Sequence, residues 1–253
     1  KGYKTGGYNV QMFCDLVQAQ AKYDLMSQFA PDQADAPVDV KQAASYKPEH
    51  SWNYEFGTRS ELVPDRLTAE LTLFYMNIRD IQLTTFAETG SGRMITNGGK
   101  ADSYGVELGM HARITDGLTA DLNYGFTHAT FRDYILTDQD EQNQIVSTDC
   151  KGNYIPYTPQ HTFNVGIQYT KLFHNKLFDQ FTASAQFSGI GKIYWTETND
   201  ISQPFYGLLN AKVGLRKGIV SFNLWGRNLT ATDYQAFYFD SFRKHAQLSC
   251  EAA

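Results

Sequence analysis

The connections between the alternating segments of this chain are short and long in strict turn, and this regularity constrains its fold more than any other feature. The short connections fall at residues 63–66, 115–117, 174–176 and 216–218, and the long ones at residues 14–49, 87–99, 133–159 and 197–204. A soluble sheet has no reason to sort its connections by length. A barrel that spans an outer membrane has tight turns on its periplasmic side and long loops outside. The alternation therefore favours a membrane-spanning, antiparallel β-barrel.

Apolar and polar side chains alternate with a period of two in the segments between these connections. One run, beginning at residue 163, reads FNVGIQYT. Such alternation is typical of strands with one apolar and one polar face. With a first strand in residues 1–13 and a last strand from about residue 242, the pattern predicts an all-β chain of about ten strands joined as hairpins. It predicts no helix of consequence.

Alternation alone also fits a soluble antiparallel sandwich, but two further features favour the membrane barrel. Runs such as 126–134 and 187–195 exceed the roughly 5–6 residues of a globular strand and reach the roughly 9–11 residues of a membrane strand. Aromatic residues make up 14% of the chain. Rings collect near the long connections, for example Tyr104, Tyr134 and Trp195, as they do in the aromatic girdle of a barrel.

Charge and hydropathy exclude other classes of protein. The formal net charge of the 253 residues is −5, which provides no basic surface for nucleic acid. No stretch approaches the roughly 18 apolar residues of a membrane helix, so contact with a membrane must come through strands. The chain opens with neither an initiator Met nor a signal peptide, which predicts an internal piece of a longer protein.

The sequence carries no motif for catalysis, a metal or a resident cofactor. HExxH, GxSxG and the phosphate-binding loop are missing, so we predict no enzyme, no cofactor and no metal site. Cys14, Cys150 and Cys250 form no CxxC pair and no Cys/His cluster, which argues against zinc. Two alternatives stay open: a bridge between Cys14 and Cys150, both in long connections, or three unrelated thiols.

Five pieces of the sequence resemble, in order, strands of the TonB-dependent outer-membrane receptors. They are residues 1–9 (KGYKTGGYN), 46–57 (YKPEHSWNYEFG), 96–107 (TNGGKADSYGVE), 157–162 (YTPQHT) and 225–230 (WGRNLT). Each piece is weak alone, but together they extend over nearly the whole chain. The overall pattern resembles receptors of the Bacteroidota.

The resemblance implies a barrel of about 22 strands that is filled by an N-terminal plug domain. Residues 1–253 would then be the C-terminal part of the barrel, roughly strands 13 to 22, without the plug and the TonB-binding segment. Family members end on a strand with a terminal aromatic residue, whereas residues 246–253 read AQLSCEAA. An arc of about ten strands cannot close, so we expect the isolated chain to aggregate.

Nine polar side chains of the predicted strands share the face opposite the apolar one. Unpaired charges of this number are costly in a dry core, whereas a wide, wet lumen tolerates them. We therefore predict that they line a lumen, where they contact a plug or a substrate. These residues are Glu55, Arg59, Glu70, Glu107, His111, Arg113, Asp121, Lys212 and Arg227.

Aromatic residues of the long connections are candidates for ligand contact at the mouth of the barrel, by stacking or apolar contact. A place in the lipid girdle is the alternative for those that adjoin strands. The four candidates are Tyr154, Tyr157, Trp195 and Tyr206.

The resemblance implies TonB-dependent active uptake of a scarce nutrient, such as a siderophore, haem, cobalamin or a glycan, across a bacterial outer membrane. The implied partners are the TonB complex, reached through the missing plug, the small-molecule nutrient and membrane lipid, with no nucleic acid. A passive porin-like or adhesion barrel is the main alternative. A soluble carbohydrate-binding β-sandwich is a weaker one.

Overall fold

The computed structural model describes residues 1–10, 13–30, 39–86, 93–139, 145–173 and 177–238. Its helices are α1 (Phe13–Phe29) and α2 (Val40–Ala44). In chain order its strands are β1 (Gly2–Lys4), β2 (Gly7–Tyr8), β3 (Ser45–Tyr46), β4 (Glu49–Val63), β5 (Leu67–Arg79), β6 (Gln82–Phe86), β7 (Arg93–Asn97), β8 (Lys100–Thr115), β9 (Leu118–Asp133), β10 (Ile135–Gln139), β11 (Ile145–Asp149), β12 (His161–Leu172), β13 (Gln180–Ile190), β14 (Ile193–Tyr194), β15 (Ser202–Gln203), β16 (Tyr206–Lys217) and β17 (Val220–Gly226).

Nine of these strands form one large sheet in the order β1-β4-β5-β8-β9-β12-β13-β16-β17. Every pair of neighbours is antiparallel. The sheet is open, with β1 and β17 at its two edges. These nine strands match nine of the ten predicted ones, and the tenth, from residue 242, lies outside the described residues. The prediction of an all-β, antiparallel fold is confirmed.

The connections alternate in length as the sequence predicts. Tight turns join β4 to β5, β8 to β9 and β16 to β17, while the predicted turn at residues 174–176 lies outside the described residues. Asp65 and Gly218 take positive φ angles, 55° and 53°, which a sharp reversal of the chain requires. Each long connection forms a two-stranded sheet of its own: β2-β3, β6-β7, β10-β11 and β14-β15.

Two strand boundaries and one helix differ from the prediction. The strand expected in residues 1–13 is only the short β1, followed by β2, and the run expected to reach residue 195 ends in the sheet at Ile190. The expectation of no helix is also wrong, because α1 occupies 17 residues of the first long connection. Its Ala, Gln, Leu, Met and Lys residues are strong helix formers. The apolar residues of α1 are spread around the helix and do not form one apolar face. The sequence therefore shows no apolar periodicity that would predict this helix.

The helices of the described residues do not have the length and hydropathy that a membrane-crossing helix requires. Helix α1 is largely exposed, with Leu25 at 58% and Phe29 at 78% of full exposure. The shorter α2 begins after Asp39, whose carboxylate accepts hydrogen bonds from the main-chain N–H groups of Lys41 and Gln42. This is a regular N-cap arrangement.

The cross-strand register gives the large sheet one apolar and one polar face. On the apolar face Tyr75 pairs with Tyr104, and Leu122 with Val165. The same face continues across β13, β16 and β17 through alternate residues. Most of its large side chains are exposed, because no other element in the described part of the chain covers them.

Buried side chains concentrate at the long-connection end of the strands. One cluster consists of Ile81, Leu83, Ala101, Phe131, Tyr134 and Cys150, and a second of Ile193, Trp195 and Tyr238. Cys150 is buried, Cys14 is exposed, and both thiols are free, so the structure contains no bridge between them. Burial raises the pKa of the Cys150 thiol. Cys250 lies outside the described residues.

Candidate functional site

The nine predicted polar residues all lie on the polar face of the sheet. Cross-strand pairs place eight of them there, for example Arg59 opposite Glu70 and His111 opposite Asp121. Arg227 follows the last paired residue, and its guanidinium lies 5.4 Å from the ring of Trp225, the partner of Lys212. The face is continuous from β4 to β17.

Two of the cross-strand pairs are in direct polar contact, one as an ion pair and the other as a hydrogen bond to a histidine ring. Arg59 Nε lies 3.0 Å from Glu70 Oε1, and His111 Nδ1 lies 2.6 Å from Asp121 Oδ1. All four side chains are at least half exposed, between 51% and 75%, so solvent screens these pairs and each contributes little to stability. The polar face is therefore built for contact with water.

The other charged residues of this face are less fully paired. Glu55 accepts a hydrogen bond of 3.2 Å from the side-chain amide of Asn53. Glu107 and Lys212 form no ion pair with any part of the chain that the structure describes. Charges of both signs are thus free to meet another polar surface. Contact with a plug or with a substrate stays a prediction.

A cavity of about 380 Å³ lies at the long-connection end of the same face. Its wall contains Met76, Ser103 and Ala129, which are cross-strand partners on β5, β8 and β9. Residues 155–158 and Glu197 close the cavity from other connections. The cavity therefore joins segments that are far apart in the sequence.

One side of the cavity holds a buried, neutralised carboxylate. The side chain of Glu49 is 9% exposed, and its Oε1 lies 2.9 Å from Lys4 Nζ. The main-chain N–H of Gln82 donates to Glu49 Oε2 at 2.8 Å. A buried charge that is paired and hydrogen-bonded in this way avoids most of the cost of desolvation. These contacts also connect β1, β4 and the start of β6.

Glu197 contributes a second carboxylate to the cavity, in a different setting. Burial raises the pKa of its carboxyl group, and the neighbouring Asp200 raises it as well. The side-chain amide of Asn153 donates to the main-chain oxygen of Glu197 at 2.9 Å, but no cation pairs with its carboxylate among the described residues. A ligand with a hydrogen-bond donor or a positive charge would satisfy this group.

Sequence reasoning did not find this cavity. Lys4 and Glu49 belong to strand motifs, and nothing in either motif indicates that they meet. Glu197 lies in an irregular connection between β14 and β15 with no periodicity to place it. The connection contains two acids, Glu197 and Asp200, and no sequence pattern indicates which of them lines the cavity.

The four predicted aromatic residues are distributed over different environments. Tyr157 lines the cavity, stacks on Phe237 at 5.5 Å and donates a hydrogen bond to the main-chain oxygen of Tyr238. Trp195 is only 6% exposed and packs in the second buried cluster. Its ring meets Tyr157 edge-on at 5.3 Å.

The remaining two aromatic residues lie away from the cavity. Tyr154 bridges to Thr130, and its ring contacts His128 of the apolar face at 5.1 Å. Tyr206 stacks on Tyr234, with 4.5 Å between ring centroids. The structure therefore brings Tyr157 to the cavity wall, with Trp195 behind it, and does not bring all four together.

The described residues contain no group of three or more His, Cys, Asp or Glu side chains that is arranged to hold a metal ion. The chemistry that the polar face and the cavity offer is ionic and hydrogen-bonding contact.

Comparison with known proteins gives a consistent result. The family model for the TonB-dependent receptor-like β-barrel matches residues 17–229. The pesticin receptor of Yersinia pestis is 25% identical over 216 residues, which are 85% of this chain and 25% of that protein.

Solved structures of other proteins share the fold. The ferric yersiniabactin uptake receptor FyuA from Yersinia pestis superposes with a TM-score of 0.66 at 21% identity, covering 96% of this chain and 30% of that one. The siderophore receptor PiuA from Acinetobacter baumannii gives 0.62 at 20% identity, covering 82% and 27%. The chain thus spans between a quarter and a third of the length of these proteins.

Proposed function

The chain belongs to the TonB-dependent receptor-like β-barrel family, and from this premise we propose that it is part of an outer-membrane receptor for TonB-dependent uptake of a scarce nutrient. The observation that carries the proposal is the two-faced sheet. One face exposes large apolar side chains on β4, β5, β8, β12, β16 and β17, while the other exposes charges. A membrane outside and a wet lumen inside account for both faces.

In this proposal residues 1–253 form the C-terminal part of the barrel and its outer loops. The long connections lie outside the cell and the tight turns in the periplasm. The nine residues of the polar face line the lumen and contact the plug, with Glu107 and Lys212 the best placed because they lack ion-pair partners in the described residues. The TonB complex acts through that plug.

The substrate class that we propose is a metal-chelating siderophore. The matched structures are described as receptors for ferric yersiniabactin and for a siderophore, and the cavity offers apolar walls with two acidic groups near the outer end of the lumen. Haem, cobalamin and glycans are the other classes that the family resemblance allows. We expect no catalytic residue in this chain, and the link to the Bacteroidota stays a prediction.

Transport by the full-length protein tests the proposal. Cells that carry or lack the parent gene, each with and without TonB, are starved of iron and supplied with a panel of siderophores loaded with radioactive iron. We expect uptake of at least one siderophore to require both the gene and TonB. Uptake that needs the gene but survives loss of TonB would indicate a passive barrel and overturn the proposal.

The cavity is tested in the same cells with Glu197→Gln, which removes the charge and keeps the shape. If the cavity binds the substrate, this variant raises the substrate concentration needed for half-maximal uptake. Glu61→Gln is the matched control, because Glu61 is an exposed acid at the opposite end of the strands. Equal effects of the two substitutions would remove the cavity from the proposed binding site.

A further inference from the structure

The charged side chains that line the cavity do not balance. Among the described residues they are Lys4, Glu49 and Glu197. Lys4 is already paired with Glu49, with 2.9 Å between Nζ and Oε1, so these two charges cancel. No cation of the described residues pairs with Glu197. The carboxylate of Glu197 is therefore the excess charge of the cavity wall.

Hydrogen bonds fix the main chain that carries Glu197. The side-chain amide of Asn153 donates to the main-chain oxygen of Glu197 at 2.9 Å. Asn199 accepts a hydrogen bond from the main-chain N–H of Tyr154 at 2.6 Å and donates one to the main-chain oxygen of Tyr154 at 2.9 Å. These bonds fasten the connection between β14 and β15 to residues 153–154. An acid on a fixed main chain needs little further ordering when a ligand binds.

The surroundings of Glu197 favour a positively charged partner. Burial and the neighbouring carboxylate of Asp200 raise the pKa of the Glu197 carboxyl group, so the described residues do not compensate its charge. A cationic group of a ligand would supply the missing charge and favour the ionised form. Because Glu197 is partly buried, salt screens such a contact less than it screens a pair on an open surface.

The polar face of the sheet continues the acidic character below the cavity. The strands β4, β5, β8 and β9 each contribute to the cavity wall. On each of them, the first charged residue of the polar face between the cavity wall and the tight turn is an acid. These residues are Glu55, Glu70, Glu107 and Asp121. Glu55 and Glu107 form no ion pair with a described residue.

Cations of the same face lie farther from the cavity. Arg113 is close to the tight turn of β8, and Lys212 lies on β16, which β12 and β13 separate from β9. The connections around the cavity carry charges of both signs outside its wall. They are Lys47, Lys151 and Lys192 on the one hand, and Asp80, Asp149 and Asp200 on the other. The excess of acid thus belongs to the cavity wall and to the strands directly below it.

We propose that Glu197 binds a protonated amine of the transported metal chelate, so that the receptor favours cationic siderophores over anionic ones. The inference rests on the proposed uptake function and adds the charge of the substrate. The cavity, of about 380 Å³, is near the lower end of the range of roughly 300–1,000 Å³ for ligand sites, so it fits one arm of a chelate. An ammonium group would form a charge-assisted hydrogen bond there, whereas an anionic arm would meet a like charge.

Other occupants fit the cavity less well. A bare metal ion needs several ligands, and the described residues contain no group of three or more His, Cys, Asp or Glu side chains arranged to hold one. A neutral hydroxyl group can donate to Glu197, but it does not balance the charge of the carboxylate. A neutral chelate should therefore bind more weakly than a cationic chelate of the same shape.

Three chelates that differ in charge test the inference. The first is the ferric complex of a linear trihydroxamate with a free terminal amine. In the second this amine is acetylated and in the third it is succinylated, so the net charges are positive, neutral and negative. Binding to the detergent-purified, full-length protein is measured by isothermal titration calorimetry at neutral pH. We expect the amine-bearing chelate to bind about tenfold more tightly than the acetylated one, and the succinylated chelate to bind most weakly.

Variants of Glu197 test whether its carboxylate recognises the charge. Glu197→Gln should lower the affinity for the amine-bearing chelate about tenfold and leave the affinity for the acetylated chelate unchanged. Glu197→Lys should reverse the order, so that the succinylated chelate binds most tightly. Glu61→Gln is the matched control, because Glu61 is an exposed acid at the tight-turn end of β4. It should bind all three chelates like the wild type.

Folding of each variant is checked by the shift in gel mobility between unheated and heated samples. If Glu197→Gln does not fold, Glu55→Gln decides the outcome, because Glu55 is exposed and has no ion pair to lose. This variant should weaken binding of the amine-bearing chelate about twofold to fivefold, and unchanged binding would contradict the inference.

Three results with the wild type and Glu197→Gln would overturn the inference. They are equal binding of the amine-bearing and acetylated chelates, equal losses of both in Glu197→Gln, and no binding of any of the three chelates. TonB-dependent uptake that is confined to anionic siderophores would refute this charge preference and leave the proposed function intact. Uptake that survives loss of TonB would instead refute the proposed function.

Discussion

The two faces of the nine-stranded sheet differ in what they expose. On the apolar face, Phe56, Phe222 and Leu224 are 68–69% exposed, which in water would be an aggregation-prone surface. On the polar face, ion pairs such as Arg59 with Glu70 are also exposed. A soluble sandwich would bury one face against a second layer. Both faces of this sheet are open among the described residues, and the buried side chains lie instead among the long connections.

The largest expected effect comes from a charge placed on the apolar face. Val165 lies near the middle of β12, between Leu122 and Phe187. Val165→Arg should cost about 2–4 kcal/mol, as a charge does at the middle of a bilayer. Unfolding of the full-length protein in lipid vesicles, followed by denaturant titration, measures this cost.

The neighbouring residue provides the control, because it points to the other face. Asn164→Arg, opposite Asn123 and Ser188, should change the free energy of unfolding by less than about 0.5 kcal/mol. Similar costs for the two substitutions would contradict the division into a lipid face and a wet face.

The next largest effect on stability is expected at Gly105, where the neighbouring strands leave no space for a side chain on the polar face. A methyl group at Gly105 would overlap the main-chain oxygen of Phe126 and lie 2.7 Å from Cζ of Phe74. Gly105→Ala should therefore destabilise the protein by about 1–3 kcal/mol, the usual cost of overpacking, as measured by the same denaturant titration.

Gly166→Ala tests whether the loss of stability in Gly105→Ala comes from the replacement of a strand glycine or from the lack of space around it. The nearest atom to its added methyl group would be Cβ of Asp121 at 3.9 Å, an ordinary contact. We expect no measurable loss of stability. If both variants lost stability equally, the cost would come from replacing a glycine in a strand and not from the close contact at Gly105.

Removal of the ion pair on the polar face should have a smaller effect on stability. It also tests whether this face is exposed to water. Removal of one partner from a buried pair costs about 3–5 kcal/mol, whereas an exposed pair contributes about 0.2–1 kcal/mol. Because Arg59 and Glu70 are 75% and 52% exposed, a double-mutant cycle with Arg59→Gln and Glu70→Gln should give the lower value. A coupling energy above about 2 kcal/mol would mean that the plug or another element covers this pair.

The smallest expected effect depends on pH. Burial raises the pKa of Glu197 in the folded protein, so the folded state holds this proton more tightly than the unfolded state does. The penalty for ionising Glu197 is absent below the ordinary glutamate pKa of about 4.3. It grows as the pH rises through the raised value and then stays constant.

Glu197→Gln should therefore be more stable than the wild type at neutral pH and equal to it in acid, as measured by thermal unfolding at a series of pH values. Asp200→Asn is a useful comparison, because its charge also raises the pKa of Glu197. A stability difference that is independent of pH would indicate that the amide changes packing and not ionisation.

Much of the sheet was predictable, because period-two alternation depends only on neighbouring residues and can be recognised in the sequence. The predicted polar residues fall on one face for the same reason, as the pairing of His111 with Asp121 illustrates. Helix α1 was not predictable from periodicity, since its apolar residues are spread around the helix. The end of β13 was missed because aromatic residues continue past Ile190 into an irregular connection.

The sequence by itself determined the alternation of short and long connections, the two faces of the strands and the motifs that indicate the family. These depend on spacing along the chain, which any strand must obey. Only the tertiary structure decided which distant residues meet: Lys4 with Glu49, Tyr154 with His128, and Glu197 with the ends of β5 and β9. Such contacts depend on how the long connections fold over the end of the sheet, and no local pattern records that packing.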